Sequence, residues 1–209
     1  MLSLLSLVGK RKLLFSNFMN DKNNKKKILF LGYGEHETCL HDFLKNNNCE
    51  VEHTNLKEID TKNYDLVISF GYRYIIPKSK ILPNPPIINL HISYLPFNKG
   101  SHPNFWSHYE GTPSGITIHL IDEGIDTGPY LFQKMIEFDT SKTTFRESYN
   151  ILINEIENLF MKNFNDIINL KFKTFCSNER GTYHSFSDLP KKINWDKIID
   201  DQIKILKQE

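Results

Sequence analysis

From Lys27 onward, short continuous apolar runs alternate with segments whose apolar residues recur at helical spacing. Apolar runs of about four to six residues that end in a turn predict strands buried on both faces of a sheet. We expect such strands at Ile28–Leu31, Leu66–Phe70 and Ile87–His91, with a shorter strand at Glu50–His53. Gly115–Ile121 alternates apolar and polar residues as a strand does, and Tyr130–Glu137 is a further strand candidate.

The helical segments fall between and after these strands. Apolar residues at helical spacing predict helices over His36–Asn46, Asn104–Glu110 and Thr144–Phe164, and a helical turn is expected over Ile75–Leu82. Thr140 or Ser141 is expected to cap the start of the longest helix, because hydroxyl side chains satisfy free backbone N–H groups there.

The alternation of strands and helices predicts an α/β fold class: an open, mostly parallel, twisted sheet of Rossmann-like type, with an antiparallel C-terminal strand pair and a short tail. We divide the chain into a disordered leader and linker over residues 1–26, one domain over residues 27–170 and a tail over residues 171–209. Ligands bind outside the carboxyl ends of the strands in such a sheet. Three polar segments follow predicted strands, namely Gly32–Glu37, Gly71–Tyr74 and Asn89–Lys99.

Residues 1–19 are basic and contain no acidic side chain. Their apolar stretch Leu2–Val8 is too short to cross a bilayer, and no small-residue cleavage site follows as in a secretory signal. We interpret the segment as a disordered extension with Met19 as a candidate start; the alternative is an organelle transit peptide over residues 1–19. The expected location is cytoplasmic, and no membrane partner is expected.

Charge and cysteine content exclude several classes of function. Twenty-six basic and twenty-five acidic residues give a net charge of +1, so no broad positive field attracts nucleic acid. Three isolated cysteines without a CxxC pair indicate neither a disulfide framework nor a cysteine zinc site, and a reducing compartment fits them. No metal is expected, and no role is assigned to five histidines that lack metal-ligand spacing: His36, His41, His53, His108 and His119.

The exit of the Ile87–His91 strand carries the most informative polar pattern. Asn89, His91 and Ser93 alternate with apolar residues and therefore share one face. Together an amide, an imidazole and a hydroxyl can stabilise an oxyanion; the alternative is that each bonds to backbone at the strand exit. The acidic, glycine-rich segment Asp122–Gly128 could supply a carboxylate to His91 as an acid–base pair, or form only a turn or a weak cation site.

The segment Gly32-Tyr33-Gly34 matches two positions of a dinucleotide-binding fingerprint, but Glu37 stands where the third glycine is required. Glu35 and Glu37 would repel a phosphate placed at this turn. We therefore interpret the segment as a tight turn.

Three motifs occur in a fixed order along the chain: Asn89-x-His91-x-Ser93-x-Leu95-Pro96, a loop at Gly100, and Asp126-x-Gly128. Together they resemble the folate-dependent formyltransferase family, and the resemblance covers Lys27–Phe164. It implies formyl transfer from 10-formyltetrahydrofolate to a primary amine, without a covalent enzyme intermediate and without a metal. By resemblance, Asn89 and His91 stabilise the oxyanion, and Asp126 orients His91 and helps to move the proton.

The resemblance also implies the residues that hold the two substrates. The folate contacts correspond to Phe70, Gly71, Tyr72, Arg73, Tyr74, Ile75, Ile121, Asp122, Glu123 and Gly124. The acceptor contacts correspond to Ser93, Lys99, Gly100, His102, Asn104 and Trp106. Lys99 and Arg73 are candidate contacts for a diphosphate.

Within this family, Tyr94–Ser107 and Gly181–His184 most resemble the sugar-nucleotide N-formyltransferases. The expected acceptor is therefore a small molecule, the primary amine of a nucleotide-linked amino-deoxysugar of a surface polysaccharide. The alternatives are a glycinamide ribonucleotide formyltransferase and a catalytically silent folate- or nucleotide-binding module. The short tail after Phe164 and the near-zero charge disfavour methionyl-tRNA. The tail and Tyr130–Phe138 are candidate homodimer surfaces.

Overall fold

A six-stranded sheet forms the centre of the computed structural model, which describes residues 25–208. Its strands are β1 (Lys26–Gly32), β2 (Cys49–Thr54), β3 (Leu66–Phe70), β4 (Ile87–His91), β6 (Gly115–Leu120) and β7 (Tyr130–Met135), in the spatial order β2-β1-β3-β4-β6-β7. The first four strands are parallel, whereas β6 is antiparallel to both β4 and β7. A second sheet pairs β5 (Lys99–Gly100) with β8 (Tyr183–His184). The predicted α/β fold class is confirmed, and the predicted leader lies almost wholly outside the described residues.

Helices cover one face of the large sheet. Those within residues 25–208 are α1 (Leu40–Asn46), α2 (Pro103–Glu110), α3 (Phe145–Lys162), α4 (Phe164–Ile168) and α5 (Ile199–Leu206), with short 3-10 helices at Lys78–Lys80 and Phe186–Asp188. On the covered face, Phe30 and Ile68 pack against side chains of α1, α3 and α4 such as Leu44 and Ile156. The opposite face, with Leu31 and Val67, packs against loop residues instead. Strands buried on both faces explain the continuous apolar runs.

Two predicted helical segments are shorter by several residues in the structure. Helix α1 begins at Leu40 and not at His36, because the hydroxyl of Thr38 donates to the carboxylate of Glu157 in α3 and holds the preceding loop. The helical turn predicted over Ile75–Leu82 is reduced to the 3-10 helix, because Pro77 has an extended backbone and proline disfavours helical geometry in the residue before it.

Helix α3 begins with a reciprocal cap. The hydroxyl oxygen of Thr144 accepts a hydrogen bond from the N–H of Glu147 at 3.1 Å, and the carboxylate of Glu147 accepts one from the N–H of Thr144 at 2.8 Å. The prediction that Thr140 or Ser141 caps this helix is wrong: the hydroxyl of Ser141 donates to Asp139 at 2.6 Å in the preceding turn.

The Thr144→Ala variant is expected to lower the free energy of unfolding by about 1 kcal/mol, because the N–H of Glu147 loses its partner. Urea denaturation of purified protein measures this loss. Ser141→Ala is the matched control, since it removes a hydroxyl one turn earlier without touching the cap. Equal losses in both variants would contradict the assignment of the cap.

The tail packs onto the domain. Trp195 and Ile199 join Phe105 and Phe145 in an aromatic and aliphatic cluster between α2, α3 and α5. A backbone bridge joins Thr144 to Ile198, and β8 pairs with β5. Residues after position 170 therefore contribute to the same packed unit as the sheet. No helix within residues 25–208 has the length and apolar character needed to span a membrane.

Candidate active site

The ladder between β4 and β6 places three polar side chains on one face of the sheet. Successive strand residues alternate between faces, so Asn89 and His91 share the face of Ile87, which is the face covered by loops. Asn89 pairs directly with His119 of the antiparallel β6. Because directly opposed residues point to the same side of a sheet, this register brings His119 next to Asn89.

The loop between β6 and β7 carries Asp126 to the same face. The carboxylate of Asp122 accepts hydrogen bonds from the hydroxyl of Thr127 at 2.6 Å and from the N–H of Gly124 at 3.0 Å, which folds the loop back on itself. Asp126 has a positive φ of 51°, a left-handed conformation that aspartate adopts more readily than most side chains. The carboxylate of Asp122 is thus engaged within the loop, and that of Asp126 is directed at β4.

The carboxylate of Asp126 is the centre of the cluster. Its Oδ2 accepts from the N–H of Gly100 at 2.8 Å and lies 3.6 Å from Nε2 of His91, while Oδ1 accepts from Nδ2 of Asn89 at 3.2 Å and lies 3.4 Å from Nε2 of His119. Burial acts to raise the pKa of Asp126, but the two histidines and the Gly100 N–H outweigh burial and hold this pKa well below its usual range. Asp126 is therefore ionised at neutral pH.

His91 is poised as a neutral base. Its Nε2 lies 3.4 Å from the carbonyl oxygen of Asn98 and 3.6 Å from Oδ2 of Asp126. Since both neighbours are acceptors, Nε2 carries the proton, and Nδ1 is the ring nitrogen left for a ligand. Burial lowers the pKa of His91 below its ordinary value of 6.5, although Asp126 acts to raise it.

His119, to which the sequence assigned no role, belongs to the cluster. Its Nδ1 lies 2.8 Å from the carbonyl oxygen of Leu120 and donates to it, so Nε2 is an acceptor in the neutral ring. Nδ2 of Asn89 lies 3.2 Å from this nitrogen and donates to it. The amide of Asn89 is therefore oriented by two acceptors, His119 and Asp126. The antiparallel register would have identified His119, but no local sequence pattern reveals that register.

A cleft of about 1080 Å³ contains this cluster. One wall is formed by the loops after β3 and β6, and all ten predicted folate contacts line it: Phe70, Gly71, Tyr72, Arg73, Tyr74, Ile75, Ile121, Asp122, Glu123 and Gly124. The backbone N–H groups of residues 72–75 donate no hydrogen bond to any described residue. Such free peptide groups at a cleft wall suit the polar edge of a pterin ring.

The six predicted acceptor contacts separate into two groups. Gly100, His102 and Asn104 line the cleft, whereas Ser93, Lys99 and Trp106 lie outside its lining. The hydroxyl of Ser93 is buried and donates to the backbone carbonyl of Phe97 at 2.5 Å, so this residue follows the alternative of a backbone bond at the strand exit.

Two of the remaining predicted contacts make structural interactions. Both polar atoms of the Asn104 amide bond to α3: Nδ2 donates to the carbonyl of Phe145, and Oδ1 accepts from the hydroxyl of Ser148, each at 3.0 Å. The ring of Trp106 is buried and stacks on His184 with centroids 3.8 Å apart. Asn104 therefore joins α2 to α3, and Trp106 supports the strand pair β5–β8.

The tail orients His91 through Asn98. The hydroxyl oxygen of Thr182 accepts from the N–H of Asn98 at 2.8 Å, and the N–H of Lys99 donates to the carbonyl of Thr182 at 3.0 Å. A Cβ at Gly181 would lie 2.1 Å from the carbonyl oxygen of Pro96, so only glycine permits this approach. These contacts explain the Gly181–His184 motif, because they fix the carbonyl of Asn98 that faces His91.

The turn after β1 uses its own backbone donor. The carboxylate of Glu37 accepts from the N–H of Gly34 at 2.9 Å, and Glu35 forms an exposed ion pair with Lys45. A phosphate at this turn would have to displace Glu37. The prediction of a tight turn at Gly32–Gly34 agrees with this geometry. Within the described residues, no group of three or more His, Cys, Asp or Glu side chains is arranged to hold a metal ion.

The Gly100→Ala variant is expected to lose both activity and stability. Gly100 has a φ of +87°, and an added Cβ would lie 2.3 Å from the carbonyl oxygen of His184, so the β5–β8 pair must separate. We expect about 1 to 3 kcal/mol of destabilisation from backbone strain alone. Thermal unfolding and turnover measure the two losses. Gly111→Ala is the control, because Gly111 also has a positive φ but an added Cβ there meets nothing within 4 Å. Wild-type turnover in Gly100→Ala would contradict the support that Gly100 gives to Asp126.

A profile of the family described as formyl transferase matches residues 19–161, which is more than half of the chain. The chain belongs to the formyl transferase family. The family resemblance inferred from Asn89, His91 and Asp126 is thereby confirmed, and these three residues meet in one cluster of the fold.

Solved structures of formyltransferases resemble this chain, among them the following two. The formyltransferase PseJ from Anoxybacillus kamchatkensis was crystallised in complex with UDP-4,6-dideoxy-4-formamido-L-AltNAc and tetrahydrofolate. It is 37% identical, with a TM-score of 0.74 over 84% of this chain and 97% of PseJ. A 4-N formyltransferase from Francisella tularensis is 26% identical, with a TM-score of 0.65 over 84% of this chain and 86% of that protein.

Curated relatives include methionyl-tRNA formyltransferases. That of Clostridium perfringens is 29% identical over 153 residues, which is 72% of this chain and 48% of the relative. That of Thermodesulfovibrio yellowstonii is 38% identical over 86 residues, which is 40% of this chain and 28% of the relative. This chain therefore spans less than half the length of these two relatives.

Proposed function

We propose that the protein transfers the formyl group of 10-formyltetrahydrofolate to the primary amine of a nucleotide-linked amino sugar. The observation that carries the proposal is the cluster of Asn89, His91 and ionised Asp126 inside a cleft large enough for two substrates. The 37% identity to PseJ, which binds a UDP-linked formamido sugar and tetrahydrofolate, supports both the donor and the acceptor. The free peptide groups of residues 72–75 are the proposed pterin contacts. The donor supplies an electrophilic formyl carbon.

His91 moves the proton in the proposed mechanism. Its unprotonated Nδ1 accepts the proton that the acceptor amine loses as it attacks the formyl carbon. Asp126, 3.6 Å from Nε2, stabilises the imidazolium that results. The protonated Nδ1 then returns the proton to the leaving nitrogen of the donor, so His91 ends the reaction neutral and no covalent bond to the protein forms.

Asn89 stabilises the negative charge that develops on the formyl oxygen, by donating a hydrogen bond from Nδ2. In the structure, Nδ2 of Asn89 donates to Asp126 and His119. Binding of the donor must therefore replace one of these two contacts. His119 acts as a positioning residue, since its Nε2 accepts a hydrogen bond from the amide of Asn89.

The turn after β1 argues against glycinamide ribonucleotide as the acceptor. A phosphate bound there would need the N–H of Gly34, which the carboxylate of Glu37 already occupies at 2.9 Å. A nucleotide sugar whose amine reaches His91 does not require the N–H of Gly34 as a hydrogen-bond donor.

A comparison of acceptors tests the proposal. Purified protein and 10-formyltetrahydrofolate are mixed with a UDP-linked 4-amino sugar, glycinamide ribonucleotide or methionyl-tRNA, and release of tetrahydrofolate is followed. We expect kcat/KM for the nucleotide sugar to exceed that for the other two acceptors by roughly 100-fold or more, because polar groups shaped for one acceptor stay unpaired with another. Faster turnover with either rival acceptor would contradict the proposal.

A further inference from the structure

Three aromatic rings meet at the rim of the cleft. His102 stacks on Trp195 with centroids 5.9 Å apart and an interplanar angle of 23°, and its centroid lies 5.5 Å from that of Phe186. All three residues line the same cleft as His91 and Asp126. We call these three rings the aromatic platform. Two of them belong to the tail, which the sequence connected to function only through Gly181–His184.

Phe186 is the exposed member of the platform. Its side chain is 75% exposed, whereas the core phenylalanines Phe105 and Phe145 are fully buried. A large apolar ring exposed within a ligand cleft loses contact with water when a flat ligand covers it, so its exposure favours stacking. Phe175, the other exposed phenylalanine of the tail, lies outside the cleft lining and packs edge-on against Tyr130.

The backbone beneath Phe186 is held in place. The N–H of Ser185 donates to the carboxylate of Asp188 at 2.6 Å, which closes a reciprocal cap around the 3-10 helix that presents Phe186. Directly before this turn, β8 pairs with β5, and Gly100 of β5 donates its N–H to Asp126. The platform is therefore connected to the carboxylate of Asp126 through one short strand pair. Because the backbone that carries Phe186 is already held in place, little conformational entropy is lost when a ligand stacks on it.

The position of the platform distinguishes between the two substrates. The proposed pterin contacts lie on the loops after β3 and β6, whereas the platform lies on the tail and on the start of α2. Arg146 lines the same cleft, and its backbone N–H donates to the carbonyl oxygen of Trp195 at 2.9 Å. Its guanidinium uses two nitrogens for Asp196, which leaves further N–H groups for phosphate oxygens. A ring followed by a diphosphate fits this arrangement.

We propose that the nucleobase of the acceptor stacks on Phe186, with Arg146 beside the diphosphate and the sugar amine directed at His91. This inference rests on the proposed function, because it assigns a place to one part of the nucleotide sugar. Stacking of a base on an aromatic side chain is tolerant of base identity, so the platform recognises a nucleotide rather than one particular base. The sugar and its amine contact the centre of the cleft, beside His91.

Binding of UDP alone tests the platform without turnover. Isothermal titration calorimetry on the full chain compares wild type, Phe186→Ala, Phe186→Trp and the matched control Phe175→Ala. Phe186→Ala is expected to weaken UDP binding about 5- to 150-fold, which is the range for loss of one base–aromatic stack. Phe186→Trp, which keeps a flat ring, and Phe175→Ala are expected to bind UDP as wild type does.

Steady-state kinetics with a UDP-linked amino sugar provide the second arm. Phe186→Ala is expected to raise KM for the sugar by a similar factor, with kcat and the KM for 10-formyltetrahydrofolate unchanged. A raised folate KM instead would assign the platform to the donor and overturn the inference. Equal affinity of wild type and Phe186→Ala for UDP, or no UDP binding to wild type, would also overturn it. Phe186-dependent UDP binding without any formyl transfer would support the platform and refute only the proposed function.

Discussion

The His91→Asn variant is expected to transfer formyl groups roughly 10² to 10⁴ times more slowly than wild type, the range that a well-placed acid–base group contributes. The shorter amide lies where Nδ1 and Cδ2 of the ring lie, so it does not replace the contact of Nε2 with the carbonyl of Asn98, and it cannot accept the proton of the attacking amine. Because His91 is held by backbone and by Asp126 rather than by the acceptor, KM is expected to change little. Stopped-assay kcat at saturating substrates measures the effect.

The pH dependence of activity distinguishes proton transfer by His91 from a purely structural role of this residue. Burial holds the pKa of His91 below 6.5, and the neutral ring is the reactive form. Activity is therefore expected to be constant above about pH 6.5 and to fall as the pH drops through the lower pKa of His91. The His91→Asn variant should lose this acidic limb. His36→Asn, at an exposed histidine outside the cleft lining, is the control and should keep both rate and profile. An unchanged acidic limb in His91→Asn would contradict the assignment.

The Asp126→Asn variant is expected to lower kcat roughly 100-fold or more, because the imidazolium of His91 loses its counter-charge. The substitution also places an NH₂ group among donors, since Gly100 and Asn89 both donate to this carboxylate. In the variant, the NH₂ group replaces one of the two carboxylate oxygens and therefore faces the N–H of Gly100 or the amide NH₂ of Asn89. Because two donors repel each other, the side chain of Asn89 is displaced as well. Single-turnover rates with saturating donor measure the loss, and Asp42→Asn on the exposed face of α1 is the control.

The Asp126→Asn variant is also expected to change how the free energy of unfolding depends on pH. The folded-state pKa of Asp126 lies well below its usual range, so ionised Asp126 stabilises the fold. This contribution is complete above the unfolded pKa of about 3.9 and disappears as the pH falls through the folded pKa. The difference in unfolding free energy between wild type and Asp126→Asn should shrink as the pH falls below about 4. A difference that keeps growing below about pH 4 would contradict the depressed pKa of Asp126.

The sheet could be predicted because its strands are continuous apolar runs. Leu66–Phe70 and Ile87–His91 form strands with the predicted bounds, since burial on both faces leaves the same signal in any sequence context. Local patterns failed where a distant side chain decides the backbone. The start of α1 depends on Thr38 meeting Glu157, 119 positions away.

The candidate site could be predicted only in part for the same reason. Alternation placed Asn89 and His91 on one face, and the family resemblance, not spacing, identified Asp126 as their partner. The place of His119 in the site could not be predicted, because its contact with Asn89 depends on the antiparallel register of β4 and β6. The place of Phe186 in the cleft could not be predicted either, because it depends on the pairing of β8 with β5. The catalytic and binding roles of these residues remain predictions.

The central claim is that His91 and Asp126 drive formyl transfer to the amine of a nucleotide sugar. NMR spectroscopy of a reaction that contains the protein, 10-formyltetrahydrofolate and a UDP-linked 4-amino sugar tests it most directly. We predict a formamide proton signal on the amino sugar with wild-type protein, and none with His91→Asn or Asp126→Asn within the same time. An amino sugar that stays unformylated with wild-type protein, or that is formylated equally by all three proteins, would contradict the account.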